Sequence, residues 1–279
     1  MIRLLLLTQQ KHAKMIDNHN CHICLGIPIP LSVQALPRTP PASFHHLGDL
    51  SSLQTLKDFG EEFGVPRDEI DHACNLASGP ADVVVILERP KTRTSHEYGH
   101  PFPQFVRCCK TLWAVDELIR LATNSARSIH TVTVLDAFSF KPKLPNDKRH
   151  IPDERCHQLL AEILRAKKPK VVIRCHRDEY RDPWMKQFEL PGEEYKFMRT
   201  ELRISGNHKT VLLQSFHPSV AVNNADRRPE YRCLLIYHFI TAFAELSGVS
   251  QLHKDAEEIR QLCTEKGYIF SPYKQHHSH

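Results

Sequence analysis

A histidine, a serine and two carboxylates stand where strand-like runs of this sequence end. Val211-Leu-Leu-Gln-Ser-Phe-His-Pro-Ser-Val220 reads as a short buried strand running into a turn that presents His217, Pro218 and Ser219. Pro218 fixes its own φ and biases His217 toward an extended backbone. Glu88 follows the apolar run Val83–Leu87, and Asp136 follows Thr131–Leu135. A parallel sheet opens all its carboxyl ends on one edge, where α/β proteins keep their sites. His-Pro-Ser is by itself also the pattern of a plain strand-ending turn with an exposed histidine.

The same edge collects positive charge. Arg89, Lys91 and Arg93 follow the first run, Lys141 and Lys143 the second, and Arg174, His176 and Arg177 the third; Arg227 and Arg228 lie beyond His217. Basic residues drawn to one edge are the footprint of a groove that meets phosphates. Solvated loop charges are the plainer account in a chain with 37 Lys and Arg, and clustering at one edge favours the groove. Tyr98, Phe102, Phe138, Phe140 and Phe216 interleave with this charge. A flipped base needs a planar wall and a polar group to read its edge. Phe102 and Asp136 suit those two tasks, whereas Phe138 and Phe140 read better as core.

The elements that must position these residues follow from apolar periodicity. Val83–Leu87 has the continuous apolar pattern of a strand buried on both faces. Helical spacing marks 49–63, a shorter stretch from Pro66 toward Cys74, one long helix over 104–123, and 153–166. Strands are expected at 131–135 and 170–173, and 200–204 is expected to pair with 210–213. Helices over 232–245 and 254–266 complete the chain. The alternation of strand and helix argues a mainly parallel, four-stranded central sheet covered on both sides, a three-layer α/β/α fold. Residues 1–78 read as a helical and loop-rich N-terminal extension, 79–250 as the α/β domain, and 251–279 as a C-terminal helix with a disordered, His-rich tail.

Composition bounds the partners. With 279 residues, 41% hydrophobic and 25% charged, the chain is ordinary globular material, and its net charge of +5 suits a polyanion without demanding one. Nine scattered cysteines, an odd number, argue against a disulfide framework and for a reducing compartment. Leu4–Leu7 is too short an apolar run for a secretory signal, and no window nears the roughly 20 residues of a membrane span. The expectation is a monomeric intracellular protein, nuclear or cytoplasmic, that engages no membrane. Cys21-His-Ile-Cys24 has the spacing of half a zinc site, but no second pair follows at finger or ribbon distance, so neither metal nor cofactor is expected. No Gly-rich phosphate loop and no Gly-x-Ser-x-Gly elbow follows any strand.

Taken together, these pieces resemble the uracil-DNA glycosylase superfamily over roughly residues 80–248. Leu87-Glu-Arg-Pro90 resembles the turn that ends the family's first strand, and Gly99 and Phe102 follow at similar spacing as the base-stacking part of that loop. Asp136 stands where the family carries the Asn that reads the pyrimidine edge. His217-Pro218-Ser219 is similar to the late family motif, with Val220 and Val222 as candidates for the minor-groove wedge. The resemblance implies DNA, duplex or single-stranded, as partner, and hydrolysis of the N-glycosidic bond of a flipped base, with no cofactor. It assigns catalysis to His217, Glu88 and Asp136, base binding to Phe102, Asp136 and Gly99, and DNA contact to Ser219, Val220, Arg227, Arg228, Lys91 and Arg177. Cleavage builds positive charge on the sugar and negative charge on the departing base, so a carboxylate and an imidazole form a sensible pair. Two departures stand out. Arg89 holds the place of the family's catalytic Asp or Asn and stays protonated, so Glu88 or Asp136 must take over the water. Asp136 lacks the donor of an amide, which leaves a fold kept for DNA binding or interaction alone as the alternative.

Overall fold

The computed structural model describes residues 47–90, 95–123, 125–141, 150–176, 188, 199–219 and 229–247. Helices α1 (Leu47–Glu62) and α2 (Arg67–Ala77) precede strand β1 (Val83–Leu87). Then come α3 (Ser95–Tyr98), α4 (Phe102–Cys108), α5 (Lys110–Ala122), β2 (Thr133–Asp136), α6 (Asp153–Lys167) and β3 (Val171–Arg174). Strands β4 (Arg199–Ser205) and β5 (His208–Gln214) and helix α7 (Pro229–Ser247) close the sequence of elements.

The sheet has the order β2-β1-β3-β5-β4. It holds five strands rather than the expected four. Four are parallel, and the fifth, β4, runs antiparallel to β5 at one edge. The extra strand is the 200–204 segment, which folds back on β5 through a tight turn where Gly206 adopts a positive φ of 53°. Val83, Val85 and Leu87 pack with α5 and α7 residues such as Leu118, Ile119, Phe239 and Ile240 on one face. Val84 and Ile86 pack with Leu56 and Phe59 of α1 and Leu160 and Leu164 of α6 on the other. This alternation is the pleat of β1 expressed as two cores, and it gives the chain three layers, helix on sheet on helix.

Helix α2 belongs to both layers. Ile70 and Ala77 enter one core and Leu76 the other, so α2 sits over the free edge of β2. Its exit requires Gly79, because a Cβ there would collide with the main chain of Val132. Thr133 Oγ1 donates to the Gly79 carbonyl at 2.5 Å and fixes that approach. A second tie is buried: both terminal nitrogens of Arg127 donate to the carboxylate of Asp82 at 2.7 and 2.8 Å. It clamps the entries to β1 and β2 in one register.

Two expected elements differ from those observed. The single helix over 104–123 is two, because Cys109 is extended (φ −102°, ψ 106°) and turns α4 into α5. Strand β2 starts at Thr133 because Ile129–Thr131 forms a 3-10 turn closed by a reciprocal cap between Ser128 and Thr131. The helix expected over 254–266 lies outside the described residues.

Candidate functional site

A cavity of about 280 Å³ opens beyond the carboxyl ends of β1 and β2. Its apolar lining comes from both cores, with Leu56 and Phe140 from one and Leu76, Phe105 and Leu112 from the other. It therefore lies past the sheet edge, where the two layers meet beneath α2. Phe105 of α4, Cys109 at the bend and Leu112 of α5 all line it. Phe140, at the end of the turn after β2, has φ 58°, and only its burial in the α1 layer holds so bulky a residue there. Backbone strain of this kind collects beside ligand sites.

His217 reaches the cavity from the turn after β5. Its Nδ1 lies 2.7 Å from Ser219 Oγ and receives the Ser219 backbone N–H at 3.3 Å. A backbone N–H can only donate, so Nδ1 carries no proton and the neutral ring must hold its proton on Nε2. Burial lowers the pKa of His217 below the ordinary imidazole value, with the Glu88 charge pulling weakly the other way. Both observations give the same species: a neutral imidazole with one N–H, and with Nδ1 committed to the turn that holds it. The sequence Ser-Phe-His-Pro-Ser builds this locally, since buried Pro218 folds the chain so that Ser219 comes back onto the ring.

Arg89 lies in the cavity wall with its guanidinium 3.7 Å above the ring of Phe138. It also pairs with Glu88 at 3.5 Å, both side chains being partly exposed. The ladder between β1 and β2 runs past the strand ends, with Ala137 N–H donating to Leu87 O at 2.8 Å and Phe138 N–H to Glu88 O at 3.0 Å. That continuation sets the Glu88–Arg89 turn against the Phe138 turn. Asp136 ends β2, opposite Leu87, and lines the cavity beside Ser139, whose hydroxyl donates to the Asp136 carbonyl at 3.1 Å.

The structure thus brings His217, Asp136 and Arg89 to one cavity, with Glu88 close enough to His217 to act on its charge. Other expected residues fall elsewhere. Phe102 is not in the lining; it packs against His72 (ring centroids 6.0 Å apart) and edge-on to His130 (5.3 Å), leaving Tyr98, Phe105 and Phe140 as the aromatic walls. Gly99 is exposed and outside the lining. Arg174 and His176 were expected on a phosphate-facing edge, but both are buried, because the sheet continues past β3: Cys175 N–H donates to Ile86 O at 2.7 Å, Ser215 N–H to Arg174 O at 2.8 Å and Gln214 Nε2 to His176 O at 3.4 Å. Lys141 is paired with Asp153 across the start of α6. Lys91, Arg177, Val220, Val222, Arg227 and Arg228 lie outside the described residues, as do Cys21 and Cys24.

Two polar residues of the site were not anticipated. Glu69 and His72, both buried, line the cavity from α2. His72 Nε2 donates to the Tyr98 carbonyl at 2.8 Å, and its ring lies flat on Phe105, 3.9 Å away and tilted by 6°. A signal was present: Glu69, His72 and Leu76 recur on one helical face, placing two polar groups among Ile70, Ala73 and Ala77.

Among the described residues no group of three or more His, Cys, Asp or Glu is placed to hold a metal ion. Nor is any helix there long and apolar enough to cross a membrane. No protein-family description matches the sequence, and no curated protein is significantly similar to it.

Proposed function

We propose that this chain is a divergent uracil-DNA glycosylase-like protein that binds DNA and hydrolyses the N-glycosidic bond of a base flipped into the cavity. The observation that carries the reading is His217, held neutral by two donors on Nδ1 with its remaining N–H on Nε2. In the reaction the C1′–N bond breaks and its electron pair leaves with the base. A donor aimed at a base carbonyl stabilises the charge that collects there, and a neutral imidazole does so without first giving up its proton. Water adds at C1′, and its proton passes to a carboxylate, Glu88 or Asp136, before reaching the departed base. Tyr98 and Phe105 supply the stacking surface. The proposal includes a monomer acting in the nucleus or cytoplasm without a cofactor.

A second reading has its own observation. Arg89 occupies the wall where the resembled family keeps a catalytic carboxylate or amide, and it is tied to both Glu88 and Phe138. Such a cation offers a phosphate contact and no water activation, which favours a DNA-binding protein that no longer releases bases.

Labelled duplexes and single strands carrying uracil, hypoxanthine, xanthine or a thymine mismatch, read as alkali-labile nicks, separate the two. Release that disappears in His217→Ala supports the glycosylase. Salt-sensitive binding without release on any substrate supports the second reading.

A further inference from the structure

Resting on the reading of this cavity as the seat of a flipped nucleotide, we propose that Arg89 holds a phosphate of that nucleotide, so that the ligand is a nucleoside phosphate and not a bare base. The cavity changes character from floor to mouth. Leu76, Leu87, Phe105, Leu112 and Phe140 are buried in its lining, whereas Arg89, Thr111 and His217 are partly exposed. A residue that both lines a cavity and meets solvent stands where the two join. A ring that enters the apolar chamber therefore leaves the group it carries behind it at the level of the guanidinium.

Arg89 is held in place without its donors being used up. Its guanidinium is stacked 3.7 Å above the Phe138 ring, and Glu88 approaches it at Nε, at 3.5 Å. Among the described residues its two terminal nitrogens make no hydrogen bond. Stacking fixes the plane of the group, so its outer N–H fork is preorganised for two acceptor oxygens on one atom, which a phosphate supplies. Thr111 and His217 add donors to the same rim: the Thr111 hydroxyl has no partner among the described residues, and His217 keeps its N–H on Nε2. Glu69 and Asp136 also line the cavity, but both are engaged in interactions of their own and are not counted as open to a ligand.

The phosphate can come from a DNA strand or from a free mononucleotide, and the experiment separates the two sources. The full chain is titrated, at one fixed ionic strength, with deoxyuridine and deoxyguanosine and with the 3′- and 5′-monophosphates of each. A second series uses single strands with one uracil flanked either by phosphodiesters or by uncharged methylphosphonates, with base release measured alongside binding. The charged member of a pair is expected to bind at least about tenfold better. Arg89→Gln should abolish that difference, and Arg89→Lys, which keeps the charge but not the fork, should restore only part of it; thermal unfolding confirms that both variants fold. A difference among the monophosphates assigns a free nucleotide, and one confined to the strands assigns DNA. Equal binding of charged and uncharged partners in both series, or a difference that survives in Arg89→Gln, overturns the proposal, and base release persisting there leaves the glycosylase standing. Binding that depends on phosphate and on Arg89 without release from any strand upholds the proposal and overturns the glycosylase. Failure to bind any of these probes overturns both.

Discussion

Strand β5 ends beside two histidine–serine pairs that are chemically alike and positioned very differently. His217 Nδ1 lies 2.7 Å from Ser219 Oγ, and His238 Nδ1 lies 2.9 Å from Ser215 Oγ. The first pair faces the cavity. The second is sealed between β5 and α7, with Phe216 edge-on to the ring of His238 at 5.6 Å. Burial lowers both imidazole pKa values, that of His238 to about 3. His238 Nε2 makes no hydrogen bond among the described residues, so its ring serves as a packed wedge that stays neutral down to about pH 3. The contrast separates motif from site. A histidine bonded to a serine becomes a chemical group only where the fold leaves its other nitrogen an opening.

Breaking the sealed pair should have the largest effect, and it should appear as stability against pH. An unfolded histidine titrates near 6.5 and the folded His238 near 3. The unfolded chain therefore takes up the proton first, so the stabilisation is fully present above about pH 6.5 and drains as pH falls toward 3. Each unit in that window costs up to about 1.4 kcal/mol. Denaturant unfolding at several pH values should show His238→Gln with a flatter acid slope than the parent chain. Equal slopes would mean that the sealed ring is not the titrating group.

Breaking the open pair should cost function and spare the fold. His217→Ala is expected to lower base release by about 10²–10³-fold, the usual loss of one preorganised donor, with a change in unfolding free energy below about 1 kcal/mol. An unfolding loss as large as that of a core histidine would place His217 with the packing residues. The pH profile sharpens the same point. Because His217 titrates below the ordinary value, release should hold constant through about pH 6.5 and decline only in more acid solution. A decline beginning above that pH would contradict a neutral imidazole as the working form.

The smallest effect belongs to the tether. Ser219→Ala removes the hydroxyl but keeps the backbone N–H on Nδ1, so release should fall about three- to tenfold, the worth of one ordinary hydrogen bond. The matching change Ser215→Ala should leave release per folded molecule unaltered and lower stability by about 1 kcal/mol.

Much of the sheet could be read from the chain because buried parallel strands are written as continuous apolar runs. Val83–Leu87 matches β1, and 170–173 differs from β3 by one residue at each end. Helix α6 differs from its expected span only at Lys167. The break at Cys109 was not legible, since the apolar spacing of 104–123 continues across it and only tertiary packing reveals the turn. The site divided in the same way. His217, Asp136 and Arg89 were visible as strand-end residues, a one-dimensional property. Glu69 and His72 were not, because they precede the first strand and reach the cavity only through the seat of α2 over the β2 edge.

By itself the sequence determined where β1 lies and, to within a few residues, where the other strands lie, which polar residues follow them, and that a proline and two serines bracket His217. Those are consequences of local sterics and of apolar periodicity, which act over a few residues. The tertiary structure alone decided that Arg174 and His176 turn inward, that α2 supplies a wall of the cavity, and that His217 opens onto it while His238 does not. These outcomes depend on which surfaces meet and exclude water. Desolvation is a property of the closed packing around a group, and no stretch of neighbouring residues encodes it.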